Sequence, residues 1–105
     1  MACARLRQTV EWVSETYGAN PAAVAAGSVY VLKLMGITVG GWMLARSAKV
    51  ASDDLAGGTG DADFLKTKIL TVRFFADHIL AQAPALAAAV TRGAESVLAV
   101  EEAML

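Results

Sequence analysis

The feature that most constrains the fold is an apolar stretch from Ala22 to Ala45, which holds four glycines and one charged residue, Lys33. Half-buried strands alternate apolar and polar residues, and that pattern does not persist along this chain. The sequence therefore predicts an all-α protein, a small antiparallel helical bundle of three to four long helices.

Capping residues and helix breakers divide the chain. Gly18 favours the end of a first helix, and Asn20 followed by Pro21 is a typical helix start, because Asn accepts hydrogen bonds from free amides. Pro84 predicts a kink or break in a later helix, since proline cannot donate to the hydrogen-bond ladder. We predict one helical domain over residues 1–105, with helices at about 2–17, 21–51 and 61–92 and a short turn or helix at about 96–104.

The second of these helices is expected to be central. Its polar residues do not collect on one face when wound at about 100° per residue, so we expect burial on several sides. Gly36 and Gly40 lie four residues apart, and Gly41 begins a neighbouring row of small residues. Such rows allow another helix to approach the backbone closely.

The other two long helices carry apolar stripes. The stripe of the first helix is Leu6, Val10, Val13 and Tyr17. The stripe of the third helix consists of Leu65, Ile69, Val72, Ala76, Ile79 and Ala83. Between the second and third helices, residues 52–60 hold two aspartates and three glycines without apolar periodicity, which predicts a loop.

No combination of residues indicates catalysis or metal binding. His78 is the only histidine and Cys3 the only cysteine, and they are far apart in sequence, whereas a metal site needs several donors. The glycines of residues 57–60 precede a helix without a preceding strand or a following P-loop lysine, so a flexible loop is favoured over a phosphate site. We therefore predict no catalytic, cofactor-binding or metal-binding residue.

Composition restricts the partners. The formal net charge is -1 and the basic residues are scattered, so we expect no nucleic acid partner. The chain is 56% hydrophobic and 18% charged, against averages of about 45–50% and about 25%, which indicates that extra apolar surface is covered by a partner. A single cysteine cannot form an internal disulfide, and this favours a reducing, cytoplasmic setting.

The stretch from Ala22 to Ala45 is also long enough to span a bilayer. Lys33 lies near its middle, where a cation costs about 2.5–3.5 kcal/mol. The neighbouring helices carry evenly spaced charges. A soluble central helix is therefore preferred, and a small membrane-associated helical protein stays as an alternative.

Two blocks of sequence resemble a known family. The segment 34–48, LMGITVGGWMLARSA, is similar to the first core motif of a helical domain at the C-terminus of some acyl-CoA dehydrogenases. The segment 68–80, KILTVRFFADHIL, followed by Pro84 and by RGAESVL at residues 92–98, resembles the remainder of that domain. The blocks occur in the family's order, and the resemblance covers nearly the whole chain.

The resemblance implies a parent flavoprotein, an oxidoreductase of fatty acid metabolism that introduces an α,β double bond into an acyl-CoA thioester. In that family FAD and the catalytic base belong to a body upstream of this domain, so no functional residue carries over and the fragment itself is not expected to be an enzyme. The resemblance implies an oligomerisation or structural role, in which the domain packs on the enzyme body or on a neighbouring subunit, and we expect a homo-oligomer. The alternative is a stand-alone helical module for protein–protein interaction.

Six residues are candidates for helix packing or an interface. Large aromatic side chains often dominate contact energies, which directs attention to Trp42, Phe74 and Phe75. Ordinary core packing is the simpler explanation, and adjacent Phe74 and Phe75 cannot both point the same way on a helix. Gly36, Gly40 and Gly41 complete the set, with a neighbour from the same chain as plausible as one from another chain.

Overall fold

The computed structural model describes residues 2–105, apart from the side chain of Glu102. The described chain is helical throughout its regular elements and contains no strand. Its helices are α1 (Ala2–Tyr17), α2 (Pro21–Ala26), α3 (Ser28–Ala56), α4 (Ala62–Phe74), α5 (Ala83–Arg92) and α6 (Ala94–Leu98). A π-helical turn (Phe75–Ile79) and a 3-10 turn (Leu80–Gln82) join α4 to α5, and Glu102–Met104 form a last 3-10 turn. The all-α bundle predicted from the sequence is confirmed.

A long antiparallel hairpin forms the frame of the molecule. One arm is α3, and the other runs from α4 through α5, so that Leu34 meets Ala83 and Gly41 meets Leu80. Helix α1 lies against α5 and the first part of α3, and α2 packs on α1 and α6. The Cα extents are 66 × 28 × 15 Å and the radius of gyration is 18.8 Å, against about 13 Å for a compact chain of this size. The bundle is therefore elongated.

The core is small and lies at one end of the hairpin. Leu34, Ala83 and Ala87 are buried together, and Leu6 of α1 packs against them. Thr9 is the buried residue of α1, with its hydroxyl donating to the Arg5 carbonyl oxygen at 2.8 Å. Part of the stripe predicted for this helix is wrong, because Val10 and Tyr17 are exposed. The face of α1 that meets α5 is centred on Thr9 instead.

The structure departs from the helix predicted over residues 21–51 near both ends of that range. It is interrupted at Gly27, which separates α2 from α3 and abuts Val90 of α5. It also continues to Ala56, five residues into the predicted loop, and the Lys49–Asp53 pair at 3.1 Å joins the predicted helix to the added residues. The true turn follows Ala56, where Gly58 and Gly60 adopt φ values of 70° and 84°, which few residues other than glycine tolerate.

The predicted break near Pro84 begins earlier than expected. Regular α-helix ends at Phe74, and the π-helical and 3-10 turns occupy Phe75–Gln82. Pro84 itself lies in the first turn of α5, where its missing N–H removes no intrahelical hydrogen bond. The chain thus remains helical through the change of geometry.

Candidate packing interface

The three candidate glycines have different surroundings. A Cβ atom at Gly41 would lie 3.2 Å from Leu80 Cδ1 and 3.4 Å from Phe75 Cε1. At Gly40 the nearest atom would be Phe75 Cζ at 3.7 Å, whereas at Gly36 no atom lies within 4 Å among the residues that the structure describes. Gly40 and Gly41 therefore serve contact within the hairpin, and Gly36 faces open space.

The π-helical turn explains how two bulky residues reach the same glycine. Phe75 and Leu80 are five residues apart, and the Leu80 amide donates to the Phe75 carbonyl oxygen. In an α-helix, residues five apart point about 140° away from each other. The wider π turn brings both side chains toward Gly41. This distortion therefore belongs to the packing of the hairpin.

The candidate aromatic residues are divided between the hairpin contact and the surface. Phe75 is half-buried against Gly40 and Gly41. Phe74 is 58% exposed, and its ring centroid lies 4.4 Å from that of His78. Trp42 is 55% exposed, and the Arg46 guanidinium carbon lies 5.0 Å from its ring centroid, a cation–π arrangement. The structure brings Phe75 together with the glycines and leaves Trp42 and Phe74 outside.

An apolar face of α3 lies on the side opposite to its buried residues, and the C-terminal part of this face borders a groove beside α4. The expectation that this helix is buried on several sides is wrong, because only Leu34, Thr38 and Ala51 are buried. We call the opposite side the outer face, and it consists of Val29, Leu32, Gly36, Val39, Met43, Arg46 and Val50. Its five large apolar side chains are 50–72% exposed. Contiguous apolar surface of this kind marks an interaction site in soluble proteins.

An open groove of about 560 Å³ runs beside this face, between α3 and α4. Met43, Val50 and Phe64 form apolar walls, and Arg46 and Lys68 bring positive charge. The Arg46 guanidinium makes no ion pair within the described part of the chain. Ligand pockets usually bury about 70–90% of a bound small molecule. An exposed groove is better suited to the side of another helix.

The described residues do not gather reactive or metal-binding groups. His78 is exposed beside Phe74, and Cys3 is exposed on α1. Among the side chains that the structure describes, no three of His, Cys, Asp or Glu lie close enough to hold a metal ion. Each described ion pair joins exposed residues four apart along the helical chain, where such a pair contributes about 0.3–0.5 kcal/mol: Arg7–Glu11, Lys49–Asp53 and Arg73–Asp77.

Two helical stretches meet the length and hydropathy of a membrane span. They are Ser28–Ala56, with a mean hydropathy of 1.4, and Ala62–Arg92, with 1.2. Within each stretch, an apolar segment of 18 residues meets the hydropathy criterion, and only 11% and 17% of these two segments are buried in the protein. Core helices of soluble proteins can pass the same criterion, but they are mostly buried. Both helices therefore present apolar surface that a protein or lipid partner could cover.

Comparison with known proteins shows a family relationship. Residues 1–101 match the family described as "Acetyl-CoA dehydrogenase C-terminal like". The chain is 41% identical over 83 residues to a 3-methylmercaptopropionyl-CoA dehydrogenase of Ruegeria pomeroyi. That match covers 79% of this chain and 14% of the relative, so the chain spans about one seventh of the relative's length. No solved structure matches.

The chain belongs to the family of acyl-CoA dehydrogenase C-terminal domains. The match extends over almost all of the described helices, from α1 to α6. The resemblance found in the sequence blocks 34–48 and 68–98 is thereby confirmed.

Proposed function

We propose that this chain is a non-catalytic structural and oligomerisation domain of a flavin-dependent acyl-CoA dehydrogenase. The parent reaction is the α,β-dehydrogenation of an acyl-CoA thioester, and we place the parent in the cytoplasm. The observation that carries the structural role is the exposed apolar outer face of α3, on a family member with a very small core. A face of this kind is stabilised when an enzyme body or a neighbouring subunit removes it from water.

The described residues do not fit a flavin site. FAD is a large cofactor, and cofactor pockets enclose most of the bound molecule with a few convergent polar groups. The groove between α3 and α4 is open along the surface, and its polar side chains, among them Arg46, Asp54 and Lys68, lie along an apolar trough. The cofactor therefore belongs to the body of the parent enzyme in this proposal.

The proposal is tested by grafting this chain onto the Ruegeria pomeroyi relative. Deletion of the matching segment, which is 14% of that protein, is expected to lower the thermal unfolding temperature and to disturb subunit assembly, because apolar surface of the body is exposed. Fusion of this chain at the same point is expected to restore both properties. The measurements are light scattering, thermal unfolding and the absorbance of bound flavin.

A graft that carries Leu34→Asp provides the control, because a carboxylate at a fully buried position unfolds the domain. That variant is expected to behave like the deletion. The proposal is contradicted if the deleted protein keeps its number of subunits and its unfolding temperature, or if bound flavin follows the grafted chain rather than the body.

A stand-alone interaction module is the second candidate, since the same exposed outer face could serve a partner unrelated to a dehydrogenase. A small membrane-associated protein is the third, and the two poorly buried apolar stretches of α3 and of the α4–α5 segment favour it. Against membrane insertion, Lys33, Arg46 and Lys49 are distributed along α3, and cations at the bilayer centre are costly. The graft distinguishes a dehydrogenase domain from both alternatives.

A further inference from the structure

The outer face of α3 has a spacing that ordinary surface helices lack. Residues 29, 32, 36, 39, 43, 46 and 50 follow one another at alternating steps of three and four. This is the seven-residue repeat of a coiled-coil seam. Packing inside the bundle uses the opposite side of α3, where Leu34 is fully buried. The seam is thus a complete helix-packing surface without a helix on it within the described chain.

The seam is complementary to itself when two copies of α3 are antiparallel. With the two-fold axis at residue 41, Leu32 of one copy faces Val50 of the other, and Val39 faces Met43. Arg46, the only charged residue of the seam, then faces Gly36. The space around Gly36 is open in the structure, so the arginine stem has room to cross it. Each of these pairs joins a residue that follows a three-residue step in one helix to a residue that follows a four-residue step in the other. This is the pairing expected for an antiparallel coiled coil.

A parallel pairing in register is much less favourable. It places Arg46 against Arg46 and Gly36 against Gly36, so that two cations meet in an apolar seam and a void lies nearly three turns away. The antiparallel arrangement avoids both problems. It also brings Asp53 and Asp54, at the end of α3, beside the start of α3 in the other copy, whose N-cap Gly27 offers no side-chain hydrogen bond. Negative charge is favourable at the positive end of a helix dipole.

We propose that the outer face of α3 is a two-fold contact between copies of this chain, formed by antiparallel α3 helices centred on residue 41. This contact rests on the proposed function in one respect, since it specifies which surface performs the oligomerisation. It brings Trp42 of each copy to the flank of the seam near the two-fold axis. Its occupant is a second α3, and packing of the domain on an enzyme body uses other surfaces.

Light scattering after size exclusion in detergent-free buffer tests the contact on the 105-residue chain. The expected mass is twice 10.9 kDa. Val39→Asp introduces a carboxylate at the centre of the seam and is expected to raise the dissociation constant at least ~100-fold, which gives a monomer. Leu70→Asp is the matched control, because Leu70 is 66% exposed on α4 and lies outside the seam. It is expected to leave the dimer intact.

Disulfide cross-linking tests the orientation. In a Cys3→Ser background, Leu32→Cys and Val50→Cys proteins are mixed and oxidised, and the mixed disulfide is expected to exceed either self-linked product. Predominant self-linking of Leu32→Cys contradicts the antiparallel arrangement. A monomeric unmodified chain overturns the contact in favour of a body helix as occupant, and recovery only in detergent overturns it in favour of a bilayer. The outcome of the graft experiment does not depend on these results. The contact can therefore fail while the proposed function still holds, and the two failures are distinguishable.

Discussion

The Gly27→Leu variant is expected to lose about 3 kcal/mol or more of unfolding free energy. A Cβ atom at Gly27 would lie 3.2 Å from Val90 Cα and 3.4 Å from the Val90 carbonyl oxygen. These are backbone atoms of a fully buried residue. They cannot shift to make room, whereas the flexible end of a side chain could. Overpacking of a core typically costs about 1–3 kcal/mol, and more where the backbone must shift. Thermal and urea unfolding followed by circular dichroism measure the loss.

Gly36→Leu is the matched control, since it places the same side chain at a glycine of α3 that faces open space. We expect it to retain the helical content and the unfolding temperature of the unmodified monomer. In the α3 contact, however, the leucine would occupy the space that Arg46 of the second copy crosses, so association weakens. Equal destabilisation by the two substitutions would contradict the packing of Gly27 against Val90.

The Leu34→Ala variant is expected to lower the free energy of unfolding by about 3 kcal/mol. Leu34 is fully buried and packs with Ala83 and Ala87 at the centre of the core. Removal of a buried leucine side chain costs about 2–5 kcal/mol, through the lost transfer energy and the cavity left behind. The surrounding alanines are too short to fill that cavity. Chemical unfolding at a fixed low protein concentration gives the difference.

Leu70→Ala is the comparison for this second substitution, because the same side chain is 66% exposed there. Substitutions at such surface positions are usually within about 0.5 kcal/mol of neutral. A loss at Leu34 as small as the one at Leu70 would show that the described core does not hold the bundle together.

Local sequence signals were sufficient for the fold class and for several helix ends. Asn20 caps α2 as expected, with its side-chain oxygen accepting from the Ala23 amide at 3.2 Å. Asp61 likewise caps α4 by accepting from the Asp63 and Phe64 amides at 2.9 and 3.2 Å. These contacts span two or three residues, so neighbouring sequence contains the information that determines them.

Features that depend on distant contacts were missed. Gly27 was not singled out, because its role comes from Val90, which is 63 residues further along the chain. The π-helical turn arises because Phe75 and Leu80 both pack on Gly41, and no local pattern predicts it. For α3, scattered polar residues suggested burial on several sides, although its outer face is exposed.

The surroundings of the candidate glycines depend on which side of α3 each one occupies. The glycine spacing indicated close helix packing, and Gly40 and Gly41 do face Phe75 within the hairpin. The spacing could not indicate that Gly36 lies on the other side, near Leu32 and Val39 of the outer face. The alternating three- and four-residue steps from Val29 to Val50 were readable in the sequence. Their significance became clear only once the structure showed that the bundle leaves those side chains exposed.

The measurement that tests the central claim most directly is size exclusion with light scattering on the unmodified chain, monitored also in the flavin absorption band. We predict a colourless protein that elutes without detergent at a defined mass, because the domain folds without a cofactor and uses its apolar surface for protein contact. A bound yellow chromophore, or protein recovered only in detergent, would contradict the assignment of this chain as a cofactor-free structural domain.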